Sequence, residues 1–167
     1  LAVEAVSATA PGSQKIVVQD VSFVLQAGAG LGIIGPSASG KSSLARLLVG
    51  IWAPIRGHVR IDGAALDQWM PEALGRHVGY LPQNVELLAG SVAQNISRFE
   101  HDADPEAIVN AAKAAGVHDL IVKLPDGYET AVGEQGSALS AGQAQRIALV
   151  RALYREPFLV VLDEPNS

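Results

Sequence analysis

Gly35-Pro36-Ser37-Ala38-Ser39-Gly40-Lys41-Ser42 decides the fold, because it matches G-x-x-x-x-G-K-[ST] at every fixed position. Small residues in this pattern let successive backbone N–H groups curl around an anion without Cβ obstruction. A helix that begins at the lysine adds its positive N-terminal end. Lys41 then supplies a mobile positive charge for the β- and γ-phosphates, and the Ser42 hydroxyl is placed to ligate Mg²⁺, with Ser43 next in the same nucleotide-binding stretch. These roles need a strand before the loop and a helix after it. Leu31-Gly32-Ile33-Ile34 reads as a short apolar strand of the kind buried in a parallel sheet. After Lys41, the residues Leu44, Leu47, Leu48 and Ile51 fall on one helical stripe. By itself the loop specifies a nucleoside triphosphate and leaves kinases, GTPases and transport ATPases open.

Outward from this centre the pattern alternates. Leu1 to Val6 alternates weakly, as an edge strand would, and Ile16 to Leu25 is a stronger strand containing Phe23, which is expected in the core. Val59-Arg60-Ile61 enters a tight turn at Asp62-Gly63, and His77 to Leu81 is a strand stopped by Pro82. Asp104-Pro105 starts a helix with a cap residue and a proline at the first helical position, and Gly116 stops it. A long helix is expected from Ser140 to Tyr154 and a five-residue buried strand from Phe158 to Leu162. The predicted fold class is therefore α/β: a core with a mostly parallel sheet, an N-terminal antiparallel β subdomain and an inserted helical subdomain at about residues 86–150.

Composition narrows the function. The 167 residues suit about one domain, and 49% hydrophobic with 17% charged residues is a globular balance. A net charge of −5 argues against a nucleic-acid partner, which calls for basic surface. The absence of cysteine excludes disulfides and thiolate metal sites and fits a reducing compartment. No run approaches the roughly 20 apolar residues of a membrane helix. With Leu1 first and Ser167 last, the chain reads as an excerpt of a longer polypeptide, truncated at its C-terminal end, whose membrane segments would lie outside it.

Phe158 to Glu164 is an apolar strand ending in two carboxylates. In doubly wound sheets ligands sit at the carboxyl ends of strands, so Asp163 is expected in the Mg²⁺ shell and Glu164 aimed to polarise the attacking water. Leu139-Ser140-Ala141-Gly142-Gln143 opens a helix, and its S-x-x-Q spacing is a capping box. The same serine-capped start followed by glycine is also an anion site, one that would serve a second subunit's nucleotide.

These motifs occur in an order that resembles ATP-binding-cassette ATPase domains: the phosphate loop, Gln83 after a strand, Leu139 to Gln143, then Asp163-Glu164-Pro165. The resemblance covers nearly the whole chain and implies a head-to-tail dimer that sandwiches two ATP molecules with Mg²⁺. On that pattern Ser140, Gly142 and Gln143 approach the partner's γ-phosphate, Gln83 links Mg²⁺ to a transmembrane coupling surface, and Glu164 is the general base. Val132-Gly133-Glu134-Gln135-Gly136 resembles the segment that exporters carry before the signature. Leu31 to Trp52, Asp62 to Trp69, Gly79 to Gln83 and Asp163 to Ser167 resemble the ATPase subunit of bacterial type I secretion systems, the protease-exporting kind above all. That resemblance implies a transmembrane domain upstream in the same polypeptide, a periplasmic adaptor, an outer-membrane channel, and a place at the cytoplasmic face of the bacterial inner membrane.

Three features depart from the family pattern. Ala141 replaces the first signature glycine, no aromatic residue precedes Phe23 to stack on adenine, and the chain stops before the family's dimer-loop aspartate and switch histidine. The fragment is therefore expected to hydrolyse ATP weakly or not at all, and His58, His77, His101 and His118 are expected to be surface or structural residues. The alternative is an ABC-type ATPase of DNA repair or chromosome organisation, which shares the four motifs but interrupts the domain with long heptad repeats not seen here. A P-loop kinase has no need of Leu139 to Gln143.

Overall fold

Asp62 and Gly63 both take left-handed backbone angles, φ 50° and 83°, as a two-residue I′ turn demands. They join β3 (Arg56–Ile61) to β4 (Ala64–Ala65), pairing Ile61 with Ala64. This hairpin belongs to the first of two compact units, Leu1–Gly75 and Arg76–Ser167, in a computed structural model that describes residues 1–164.

The sheet of the first unit is antiparallel, in the order β2-β1-β3-β4, with β1 spanning Ala2–Thr9 and β2 Ile16–Val24. β1 is thus an inner strand, not the edge strand its weak alternation suggests. The reason is a bulge: Ala5 and Asp20 adopt φ 47° and 49°, and the β1–β2 register slips between Val3 and Val6, which breaks the two-residue period. Hydroxyls fill the broken ladder. Ser22 Oγ accepts the Ala5 N–H at 2.8 Å and Ser7 Oγ accepts the Asp20 N–H at 2.9 Å. Opposite the bulge a Cβ on Gly57 would come within 2.2 Å of the Glu4 carbonyl oxygen, so only glycine fits. Val3, Val6, Ala8, Val18, Val59 and Ile61 are buried.

α1 (Lys41–Leu48) buries Leu44, Leu47 and Leu48 as their spacing predicts. Ile51 departs from the stripe and is 59% exposed, because the helix ends before it and Gly50 turns at φ 78°. The expected strand at Leu31 to Ile34 is also corrected. Among the described residues this run joins neither sheet, and Ile34 is 95% exposed. An apolar run becomes a strand only by pairing, which composition cannot supply. Phe23, expected in the core, is only partly buried on β2.

In the second unit β5 (Val78–Leu81) and β6 (Leu159–Leu162) pair in parallel, Val78 with Leu159 through Leu81 with Leu162. β6 is not buried on both faces: Leu159 is buried, whereas Val160 and Leu162 are 36% and 43% exposed. α2 (Pro71–His77) leads into β5, and α3 (Val92–Ile96), α4 (Pro105–Ala114), α5 (His118–Val122) and α6 (Ala141–Leu153) lie between the two strands in sequence. Leu87, Ile96, Ile108, Ile121, Ile147 and Val150 are central to a core that these helices share. α4 starts where its cap and proline predict, with Asp104 accepting the Glu106 N–H at 2.9 Å. The mixed α/β class is as expected, with an antiparallel sheet at the N-terminal end and a parallel pair after it.

Two packing devices shape the second unit. A Cβ on Gly79 would fall 1.8 Å from the Ala152 carbonyl oxygen, so glycine is what lets β5 approach the C-terminal end of α6. Asn95, 1% exposed, accepts the Leu88 N–H at 2.9 Å and donates to the Leu88 and Ser91 carbonyls at 2.9 and 3.0 Å. A single amide thereby satisfies the backbone of the turn after Leu87.

Candidate nucleotide site

Gly40 stands at φ 94° directly before α1, and a Cβ there would meet the Val17 carbonyl oxygen at 2.4 Å. Glycine therefore brings the end of the loop against β2 in a conformation other residues resist. Ala38 is also left-handed, at φ 63°, and the Ser39 N–H donates to the Pro36 carbonyl at 3.2 Å, which curls the loop. A Cβ on Gly35 would lie 2.8 Å from Ser39 Oγ. No side chain caps α1, and an uncapped helix start is a setting that favours an anion. Lys41 folds back over its own loop, donating from Nζ to the Gly35 and Pro36 carbonyls at 2.9 and 3.0 Å. Those are neutral acceptors, and a phosphate would compete for the ammonium with full charge. Gly35 to Ser39 are exposed, and Gly40 to Ser43 partly so.

In the second unit Gln83, Asp163 and Glu164 leave the carboxyl ends of β5 and β6. The Asp163 N–H donates to the Leu81 carbonyl at 2.9 Å, extending the pairing by one residue, and Asp163 is only 6% exposed. Glu164 turns left-handed at φ 53°, and Gln83 Nε2 donates to its Oε2 at 2.6 Å. Sequence reasoning names all three residues but not this contact. Pro165, which completes the Asp-Glu-Pro motif, lies outside the described residues.

The start of α6 forms the capping box in full. Ser140 Oγ accepts the Gln143 N–H at 3.2 Å, and Gln143 Oε1 accepts the Ser140 N–H at 2.9 Å. Gly142 has nothing within 4 Å of where a Cβ would stand, so packing inside this chain does not call for glycine there. At about 1.5 Å per residue, Ser140 lies some ~18 Å along the axis from Ala152. In Val132 to Gly136, residues Gly133, Gln135 and Gly136 take φ 74°, 54° and 76°, which makes a tightly wound segment. His58, His77 and His101 are exposed, and His118 Nδ1 lies 2.9 Å from Tyr128 Oη, a structural contact. Burial raises the Tyr128 phenol above the usual tyrosine value.

A phosphate loop built on glycine, a carboxylate pair ending a strand and a capped glycine-bearing helix are the parts of one class of ATPase. Residues 18–167 match the ABC transporter family, and the chain belongs to it. It is 65% identical over 167 residues to the type I secretion system ATP-binding protein PrsD of Rhizobium meliloti (strain 1021), covering 100% of this chain and 29% of that protein. It is 43% identical over 152 residues to the exotoxin translocation ATP-binding protein PaxB of Pasteurella aerogenes, covering 91% of this chain and 21% of that protein. A solved bacterial Atm1-family ABC exporter with ATP bound superposes with a TM-score of 0.86 at 33% identity, over 98% of this chain and 29% of that one. The chain thus spans less than a third of the length of each. Among the described residues no helix is long and apolar enough to cross a membrane.

Proposed function

We propose that this chain is the ATP-binding and ATP-hydrolysing domain that powers export across a membrane, with a polypeptide as cargo in the manner of type I secretion. The observation that carries the reading is the loop, whose Gly40 is held left-handed against β2 with no room for a Cβ, at the uncapped start of α1. Such a cradle fits a polyphosphate: amides and Lys41 on the anion, with Lys41 exchanging its carbonyl partners for the β- and γ-phosphates. The similarity to PrsD, end to end along this chain, supports the polypeptide cargo.

On the family pattern Mg²⁺ contacts are assigned unit by unit: the Ser42 hydroxyl in the first, and the Asp163 carboxylate and the Gln83 amide oxygen in the second. Among the described residues no three His, Cys, Asp or Glu side chains converge. Mg²⁺ is commonly held by one or two carboxylates with phosphate oxygens and water. When bound, it neutralises charge on the transferring phosphoryl group. Glu164 is assigned as general base, and Ser140, Gly142 and Gln143 as contacts to the nucleotide of a second, head-to-tail copy. That Gly142 is not required by packing supports an approach from outside the chain. A transmembrane domain in the same polypeptide, a periplasmic adaptor, an outer-membrane channel and a site at the cytoplasmic face of the bacterial inner membrane complete the assembly. The relatives named as secretion and exotoxin translocation proteins favour this over a DNA-associated ATPase.

The test is Glu164→Gln in the full-length protein. An ATP-dependent dimer that persists, with hydrolysis reduced by about a hundredfold or more, supports the base assignment. Hydrolysis at the native rate removes Glu164 from that role.

A further inference from the structure

Lys41 marks which way a triphosphate lies along the loop. Its ammonium rests on the Gly35 and Pro36 carbonyls at the start of the loop, so the β- and γ-phosphates that it serves belong at that end. The nucleoside then leaves past the other end, at Gly40, where a Cβ would meet the Val17 carbonyl oxygen at 2.4 Å and Val18 Cγ2 at 3.7 Å. What the fold offers the base is therefore the start of β2 and the turn before it. Ile16 opens β2 opposite Thr9 and is 48% exposed. The turn from Ala10 to Lys15 is closed by the Ser13 N–H on the Ala10 carbonyl at 3.0 Å and the Lys15 N–H on Ser13 Oγ at 3.1 Å.

No aromatic ring stands there. The aromatic residues of the first unit are Phe23, Trp52 and Trp69. Phe23 lies about 20 Å from Val17 along β2, at 3.3 Å or so per residue. Trp52 and Trp69 belong to the far end of α1, a helix about 12 Å long. The Trp52 N–H donates to the Arg46 carbonyl, and the Trp69 N–H donates to that of Leu66, whose side chain lies beside Gly50. Stacking on a ring adds about tenfold or more to the affinity for a base, whereas an aliphatic side chain gives contact without direction. Gln14 is the amide side chain of this turn, and it is exposed. An amide donates with one arm and accepts with the other, so it meets the adenine amino group and the guanine carbonyl equally.

We infer that the site accepts nucleoside triphosphates as a class, with little preference for adenine, the base resting on Ile16 at the start of β2. The inference rests on reading Gly35 to Ser42 as a triphosphate site and names what that site takes. Calorimetric titration of the full-length protein with the Mg²⁺ complexes of ATP, GTP, CTP and inorganic tripolyphosphate tests it. The three nucleotides are expected to bind within about fivefold of one another. ATP bound more tightly than GTP or CTP by a larger factor overturns the inference, and the phosphate-loop reading then still stands. If none of the four binds, the phosphate-loop reading itself fails. Ile16→Trp places a ring at this exposed position and is expected to tighten ATP by about tenfold, with tripolyphosphate unchanged. Unchanged ATP affinity in a variant that holds tripolyphosphate as the native protein does overturns the place given to the base. Where Ile16→Trp loses tripolyphosphate as well, its fold is damaged, and the smaller ring of Ile16→Phe gives the same test.

Discussion

Replacing Ser140 in two ways separates the capping of α6 from the nucleotide contact assigned to it. Ser140→Ala deletes the Oγ that accepts the Gln143 N–H at 3.2 Å, while the reciprocal bond from the Ser140 N–H to Gln143 Oε1 at 2.9 Å survives. One orphaned amide at a helix start costs about 1 kcal/mol, a Tm lower by about 2–4 °C for a chain of this size. Ser140→Asp supplies an equally good cap, so its stability should stay within about 0.5 kcal/mol of the native protein. Towards nucleotide the two diverge. An aspartate sets a full negative charge where the partner's γ-phosphate would arrive, and two unit charges ~4 Å apart repel by about 4 kcal/mol at an effective dielectric constant of about 20. Hydrolysis by the full-length protein should then fall by at least about a hundredfold. Thermal unfolding and steady-state ATP hydrolysis, measured on both variants, decide the matter. Native hydrolysis in Ser140→Asp would show the start of α6 to be a cap and nothing more, and equal destabilisation by both changes would show that the hydroxyl is not the cap.

Gly40→Ala should cost about 2 kcal/mol or more, from left-handed strain and a Cβ 2.4 Å from the Val17 carbonyl, and should weaken ATP binding in calorimetry. Asn95→Ala strips three side-chain hydrogen bonds from the turn after Leu87, while the Asn95 N–H still donates to the Ser91 carbonyl, a loss of about 2 kcal/mol by denaturant unfolding. Above the usual tyrosine range the Tyr128 phenol should still be protonated, because burial disfavours the phenolate. Its contribution to stability is present below that range and lost as pH rises through the raised value, which ultraviolet titration beside thermal unfolding will follow.

What is legible in the sequence is what neighbouring residues decide. Asp62-Gly63 carries its own turn, Asp104-Pro105 its own helix start, and Ser140 with Gln143 its own cap, each within four residues. Gly35 to Ser42 is legible because backbone curvature there demands small residues in a fixed order. What escapes a sequence reading depends on partners distant along the chain. β1 reads as an edge strand because its bulge at Ala5 blurs the alternation, and Leu31 to Ile34 reads as a strand because composition alone does not reveal whether a neighbour pairs with it. Gln83 and Glu164 can each be named, but their contact depends on the β5–β6 register. Asn95 gives no signal, since a buried asparagine and a surface one read alike.

The central claim is that Gly35 to Ser42 holds a triphosphate. Titrating ATP with Mg²⁺ into the chain by calorimetry tests it most directly, with Lys41→Ala alongside. One ATP per chain, with affinity lower by at least about tenfold in Lys41→Ala, is the predicted result. No binding heat, or equal affinity in the two proteins, would contradict it.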